Sequence, residues 1–223
     1  MIPWVHLDTA KVPGGGELRL MQRGAEYSIM AGAIELMNSR LSGSEKALAT
    51  LCCDRVGQRP GARLLIGGLG MGFTLRAALA ELPAGAAVVV AELVPAVVAW
   101  ARGPMAHIFD GSLADPRVSV QEADVGEVIR GARGAFDAIL LDVDNGPGGL
   151  SREGNDSLYT GAGLAAARRA LRPGGVLAVW SAGPDHGFTG RLRKAGYAVE
   201  EVQVRATGGK RGARHLIWMA TAP

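Results

Sequence analysis

The stretch Leu64-Leu65-Ile66-Gly67-Gly68-Leu69-Gly70-Met71-Gly72-Phe73 (residues 64–73) decides how the whole chain is read. Leu64 to Gly67 is an apolar strand run with no polar face, and helical spacing begins at Phe73 and lasts to Leu82. Between them Gly68, Gly70 and Gly72 let the backbone turn sharply and approach a ligand where a Cβ would stand in the way. A glycine motif alone is weak evidence, but one set between a strand and a helix has its confirming context. The spacing is G-x-G-x-G, not G-x-G-x-x-G, which favours a nucleoside–amino acid ligand over a pyrophosphate one.

Working outward, Glu92 stands twenty positions after Gly72, at the end of the next apolar run, Ala86 to Glu92. A carboxylate at that place accepts hydrogen bonds from ribose hydroxyls, and the bland alternative is a solvated strand-end glutamate. Asp124 ends the third run, where an acid can meet an adenine amine. It also opens the capping box Asp124-Val125-Gly126-Glu127, and the two roles can coexist. The fourth run, Phe136 to Asp142, leads into Asp142-Val143-Asp144-Asn145-Gly146-Pro147. Strand carboxyl ends line the crevice of an open α/β sheet, so Asp142, Asp144 and Asn145 crowd the place where a second substrate would sit. Close carboxylates raise one another's proton affinity and together attract a cationic amine. Asp, Asn, Gly and Pro are also turn formers, which explains all of this segment except the strand-terminal Asp142.

Beyond residue 63 strand and helix patterns alternate. A fifth apolar run spans Val176 to Trp180, and helical patterns fall at Phe73–Leu82, Pro95–Arg102, Gly126–Arg130, Gly161–Leu171 and Gly187–Ala195. Continuous apolar strands predict a parallel sheet covered on both faces. Val199–Arg205 and His215–Ala220 flank Thr207-Gly208-Gly209-Lys210 and predict a terminal antiparallel hairpin. Residues 1–15 read as irregular. Glu17–Gln22, Glu26–Met30 and Ile34–Met37 then alternate with period two as a small β unit, followed by a helix opened by a Ser42–Glu45 capping box. The expected division is residues 1–56, a small N-terminal β unit plus helix, and residues 57–223, a Rossmann-like domain.

Composition narrows the class. The 223 residues are 48% hydrophobic and 20% charged, the balance of a globular chain with a substantial core. A net charge of +3 and an aromatic content of 5% argue against a nucleic-acid partner. Lys210, Arg211, Arg214 and His215 form the one basic cluster and read as a solvated hairpin turn. Adjacent Cys52 and Cys53 suit reduced thiols rather than a disulfide or a metal site, and no metal is expected. Met1 to Glu17 lacks a signal-peptide pattern, and the apolar stretch Ala84–Ala101 is broken by Glu92 and Pro95, so no membrane partner and a cytoplasmic location are expected. The helix Val94–Trp100 is apolar enough for core or for a dimer surface, and a homodimer is expected. Asn155-Asp156-Ser157-Leu158-Tyr159 reads as part of a long loop whose Tyr159 or Asp156 could line a substrate. A surface loop packed by Tyr159 is the alternative. His186 reads as merely exposed.

These residues, with others, resemble the spermidine synthase (polyamine aminopropyltransferase) group within the class I S-adenosylmethionine-dependent methyltransferase fold. Gly16-Glu17-Leu18-Arg19-Leu20, Ile34-Glu35-Leu36-Met37-Asn38-Ser39-Arg40 and the Gly43-Ser44-Glu45 helix look like that family's small N-terminal β domain and the helix after it. Asp115-Pro116-Arg117-Val118 and Leu171-Arg172-Pro173-Gly174-Gly175-Val176 are further shared phrases. The resemblance implies an α/β methyltransferase-type sheet with a terminal antiparallel hairpin. It places Gly68 to Gly72 under the cofactor's methionine-like part, Glu92 on the ribose and Asp124 near the adenine. It makes Asp142 the base that takes a proton from an attacking amine. Asp144 is the second catalytic candidate, and Glu35, Asn145 and Tyr159 are expected around a small-molecule amine. The implied cofactor is decarboxylated S-adenosylmethionine or S-adenosylmethionine. Three departures stand out: Asn145 replaces the family's second aspartate, the glycine loop carries no acid, and Gly43-Ser44-Glu45 replaces Tyr-His-Glu. Two other readings therefore stay open, a small-molecule methyltransferase and a nucleoside-binding homologue without catalysis.

Overall fold

The structure is a computed structural model that describes residues 2–56, 58–143, 146, 147, 153–207 and 212–223. Four strands come first, β1 (Val5–Lys11), β2 (Glu17–Arg23), β3 (Glu26–Ala31) and β4 (Ile34–Asn38), then α1 (Gly43–Val56). The alternating part follows: β5 (Arg63–Gly67), α2 (Phe73–Glu81), β6 (Ala87–Glu92), α3 (Pro95–Arg102), α4 (Ala106–Phe109), β7 (Val118–Glu122), α5 (Val125–Gly131) and β8 (Phe136–Leu141). The chain ends with α6 (Glu153–Tyr159), α7 (Gly161–Ala170), β9 (Leu171–Ser181), α8 (His186–Lys194), β10 (Ala198–Arg205) and β11 (Arg214–Thr221).

The large sheet has the order β10-β11-β9-β8-β5-β6-β7. Strands β5 to β9 pair in parallel, while β11 runs antiparallel to both β9 and β10. The central strands β5, β6 and β8 are largely apolar because both of their faces are covered, while the edge strands β7 and β10 are exposed or half-buried. Leu64, Ile66, Val88, Val90, Ala138 and Leu140 face a core with α1, α2 and α3, and Leu65, Val89, Ala91, Ile139 and Leu141 face a second core with α5, α7 and α8. Period-two alternation survives as a choice between two buried faces, not between core and water. Strand order reverses between β5 and β8, so the chain leaves β5 toward β6 on one side and returns to β8 on the other. That reversal opens a crevice at the strands' carboxyl ends.

The N-terminal strands form an antiparallel sheet in the order β1-β2-β3-β4. Its Leu18, Leu20, Tyr27 and Ile29 join the same core as α1 and α2, so the small sheet packs down over the crevice.

Several sequence expectations need correction. Residues 5–11 are a strand, not irregular chain; β1 pairs with β2 but buries only Ala10. A register shift between His6 and Asp8 breaks its alternation, and the Trp100 indole N–H donates to Asp8 (2.7 Å) to tie it to α3. The Asn155–Tyr159 segment is helical, within α6. The fifth strand starts at Leu171, since Pro173-Gly174-Gly175 is carried inside β9 rather than before it. Of the two places left open for the apolar face of α3, core or dimer surface, Val97, Val98 and Trp100 are buried in this chain's own core. Glu45 turns its carboxylate to the Ser44 hydroxyl (2.8 Å) instead of reaching back to cap α1. The turn at Gly208-Gly209-Lys210 lies outside the described residues, though both its strands are as expected. Among the described residues no helix is long and apolar enough to cross a membrane.

At the opposite end of the sheet Asp137 of β8 is 2% exposed and accepts hydrogen bonds from Arg59 (3.2 Å), Arg172 (2.7 Å) and the Arg63 N–H (2.9 Å). It locks α1's exit, β5 and β9 together. Both arginines are partly in water, which weakens the pairing but not the buried carboxylate's need for donors. Asp137→Ala is expected to lower stability by about 1–3 kcal/mol, read from the urea midpoint at constant m-value.

Candidate active site

A cavity of about 300 Å³ opens at the carboxyl ends of β5, β6 and β8 and is roofed by the N-terminal sheet. Its floor is the glycine bend. Gly68 sits at φ +90°, and a Cβ there would lie 2.6 Å from the Asp142 carbonyl oxygen. Gly72 sits at φ +73° against the Phe109 ring, where a Cβ would approach to 2.4 Å. Both positions therefore exclude any side chain, by conformation and by space. Gly70 lies between them under Met37 of β4. All three glycines line the cavity.

Glu92 holds the bend. It is 8% exposed, and its two carboxylate oxygens accept from the Leu69 N–H (2.9 Å) and the Val94 N–H (2.8 Å). Burial raises its proton affinity, opposed by those amides and by the Gly70 and Leu93 amides. It lines the cavity as the sequence reading placed it, and it also has a structural task that reading did not foresee. Asp124 caps α5, accepting from the Glu127 N–H (3.0 Å), and lines the cavity as well.

Asp142 follows β8 directly and points into the cavity. The Thr74 hydroxyl donates to its Oδ2 at 2.6 Å. Burial, and then the nearby Glu45 carboxylate, raise the Asp142 carboxyl to about 7, and the Thr74 hydrogen bond works in the other direction. A carboxylate poised there can accept a proton near neutral pH. Thr74, from the first turn of α2, and Glu45, from α1, were not singled out for the site by sequence reasoning. Neither stands in a glycine or strand-end motif, so only the packing of α1 on α2 brings them in.

The remaining expectations divide. Glu35 does not line the cavity: its oxygens accept from Ser28 and Asn38 (both 2.8 Å) and pair with Arg40, all within the small sheet. Tyr159 is 4% exposed, packs edge-on against Phe188 at 5.6 Å in the far core, and is no part of the cavity wall. Asp144 and Asn145 lie outside the described residues. His186 is exposed at the start of α8. His215 is not part of a solvated basic turn: its Nδ1 lies 2.9 Å from the Ser44 hydroxyl and its ring meets Trp180 edge-on at 4.8 Å. Glu17, Asn38 and Trp180 line the cavity without having been anticipated there.

No family model matches the chain. The polyamine aminopropyltransferase of Mycobacterium tuberculosis is 36% identical over 156 residues, 65% of this chain and 28% of that relative. The chain thus spans little more than a quarter of the curated relatives' length. The crystal structure of spermidine synthase from Thermotoga maritima superimposes with a TM-score of 0.76 at 19% identity, covering 98% of this chain and 72% of that one. The chain is similar in sequence to polyamine aminopropyltransferases and shares the fold of the spermidine synthases. A spermidine synthase in complex with the transition state analogue AdoDATO gives a TM-score of 0.75 at 18% identity, over the same shares of both chains. The spermidine-synthase-like fold is the methyltransferase-type sheet expected, with the four-stranded sheet set over its crevice.

The raised Asp142 carboxyl has a consequence for stability. Folded, it holds its proton up to about 7; unfolded, it releases it near 3.8. The folded state therefore binds more protons between those values, and stability is lost as pH rises through that window. Asp142→Asn keeps the shape without the charge, so relative to the parent it should gain roughly 1–4 kcal/mol between pH 4 and pH 8. Urea midpoints at the two pH values measure it, and a gap that does not widen would remove the buried-carboxylate account.

Proposed function

We propose that the chain transfers an aminopropyl group from decarboxylated S-adenosylmethionine to a small amine such as putrescine, with Asp142 as the base. The observation that carries this reading is the charge of the cavity. Its ionisable lining residues are Glu17, Glu45, Glu92, Asp124 and Asp142, and among the described residues no lysine, arginine or histidine joins them. Such a wall attracts sulfonium and ammonium ions and repels carboxylates. The donor and its carboxylated parent differ by one carboxylate. That group would find no cation here, and the bend's amides already point at Glu92. The same argument weighs against methyl transfer from S-adenosylmethionine.

The bound donor supplies an electrophilic carbon next to positive sulfur, and the residues do the rest. Gly68 to Gly72 leave room for it, and Glu92 and Asp124 hold the ribose and adenine through the lone pairs that their backbone bonds leave over. An ammonium ion has no lone pair, so Asp142 takes a proton from the incoming amine. The freed nitrogen attacks the carbon, the C–S bond breaks with its pair going to sulfur, and a neutral thioether leaves as methylthioadenosine. Fixing the two substrates in line removes much of the entropic barrier. Asp144 and Asn145, next along the chain, are proposed as further amine contacts. Buried, unpaired Cys52 and Cys53 suit the reducing cytoplasm.

Calorimetry with decarboxylated S-adenosylmethionine, S-adenosylmethionine and methylthioadenosine, alongside turnover of putrescine, tests the proposal. The decarboxylated donor should bind tighter and turnover should fall as pH drops below about 7, where Asp142 takes up its own proton. Preference for the carboxylated form would point to methylation instead. Asp142→Asn should abolish transfer and leave donor affinity within about threefold, since it removes the base and not the nucleoside grip. Glu92→Ala should weaken donor binding by roughly 1–3 kcal/mol, and full affinity in that variant would mean the ribose is held elsewhere.

A further inference from the structure

We propose that His215 is a positioning residue for the amine acceptor, holding Glu45 through Ser44 so that Glu45 and Asp142 face the incoming ammonium as a pair. The inference rests on the transferase reading above. Two elements distant in sequence make the chain: His215 lies on β11, while Ser44 and Glu45 lie in the first turn of α1, and 171 positions separate His215 from Ser44. Ser44 is 1% exposed, and its hydroxyl donates to Glu45 Oε2 at 2.8 Å. A hydroxyl has one hydrogen. With that hydrogen committed to Glu45, the 2.9 Å contact to His215 must run the other way, from Nδ1–H to the serine oxygen. The imidazole therefore carries its proton on Nδ1, and the hydrogen bonds point in series at the Glu45 carboxylate, each strengthening the next.

Glu45 needs that support. It lines the cavity with Asp142, and its charge raises Asp142's proton affinity, so the two carboxylates repel. The Ser44 hydroxyl behind Glu45 holds it in place at the cavity wall, which makes the site a two-carboxylate grip for an ammonium ion. Among the described residues Glu45 is the charged group acting on both Asp142 and His215. Thr74 faces Asp142 from α2, Trp180 faces His215 from β9, and Arg205 of β10 is turned to the Gly212 carbonyl. Burial lowers the proton affinity of His215, which favours the neutral ring. Trp180 braces that ring edge-on and is itself cavity wall, so the acceptor's aliphatic part and the imidazole share one surface.

Steady-state kinetics with saturating decarboxylated S-adenosylmethionine and varied putrescine test this in His215→Ala, His215→Asn and Ser44→Ala. His215→Ala and Ser44→Ala should each raise the KM for putrescine roughly tenfold, the loss of one hydrogen bond to a charged group, with donor affinity by calorimetry unchanged. Their effects should not add in the double variant. His215→Asn, whose amide can donate from the Nδ1 position, should restore most of the loss. A merely structural hairpin contact would instead lower donor affinity and kcat together, with no rescue by asparagine, and that result overturns the proposal, as does a His215→Ala variant that matches the parent. Nitrogen-15 NMR of the parent adds a readout free of turnover: the Nδ1–H tautomer is expected, and the Nε2–H tautomer would overturn the chain. If the parent turns over no amine at all, the transferase reading falls, and the NMR result alone decides the hydrogen-bond chain.

Discussion

Everything at the site depends on one buried carboxylate gripping a backbone bend. Glu92, from the end of β6, accepts the amides of Leu69 and Val94 and so pins the glycine bend after β5 to the neighbouring strand. A bend made of glycines has no side chains with which to hold itself, and its left-handed residues gain nothing from local sterics. Without an external acceptor its amides would have to turn to water or to ligand. With Glu92 in place the bend is fixed, the crevice keeps its depth, and Asp142, whose carbonyl oxygen touches the space beside Gly68, is fixed with it.

That arrangement also sets the sign of the site. In many nucleotide crevices the loop amides and helix N-terminus form a positive pocket for phosphate. Here the amides are spent on Glu92, and four more acids stand around the same cavity. A few strand-end and helix-start residues give this crevice an acidic lining that disfavours anions. Fold alone would not have said so, because function resides in the site and not in the sheet.

Much of the fold was legible because the large sheet is covered on both faces. Apolar runs such as Ala138-Ile139-Leu140-Leu141 have no solvent-facing member to blur them, and turn residues bound them cleanly. The exceptions have physical causes. β1 is an edge strand whose Val5 and Leu7 lie exposed and whose pairing is interrupted at His6 and Asp8, so its short apolar–polar alternation carries no burial to mark it. α6 runs through Gly154, Asn155, Asp156 and Ser157, poor helix formers that read as loop. β9 runs through Pro173-Gly174-Gly175, a phrase that signals a turn in isolation. At the site the glycines, Glu92, Asp124 and Asp142 were legible because strand ends and spacing mark them. Thr74, Glu45 and His215 were not, because each arrives by packing between elements far apart in the chain, and the polar neighbours of His215 in sequence suggested water where the structure gives it Ser44 and Trp180.

The departures from the spermidine synthase pattern are therefore less severe in space than along the chain. Gly43-Ser44-Glu45 lacks the imidazole of Tyr-His-Glu, yet an imidazole stands 2.9 Å from Ser44, delivered by β11 from the far end of the sequence. What such a site requires is a carboxylate held in place beside a second one whose proton affinity is raised. That condition is met when hydrogen bonds are supplied behind the first carboxylate and low-polarity packing surrounds the second. Ser44 supplies the first and the packing about Asp142 the second. Which helix or strand contributes the donor is immaterial to the electrostatics, since Glu45 responds to the proton in front of its oxygen and not to the position in the chain from which it came.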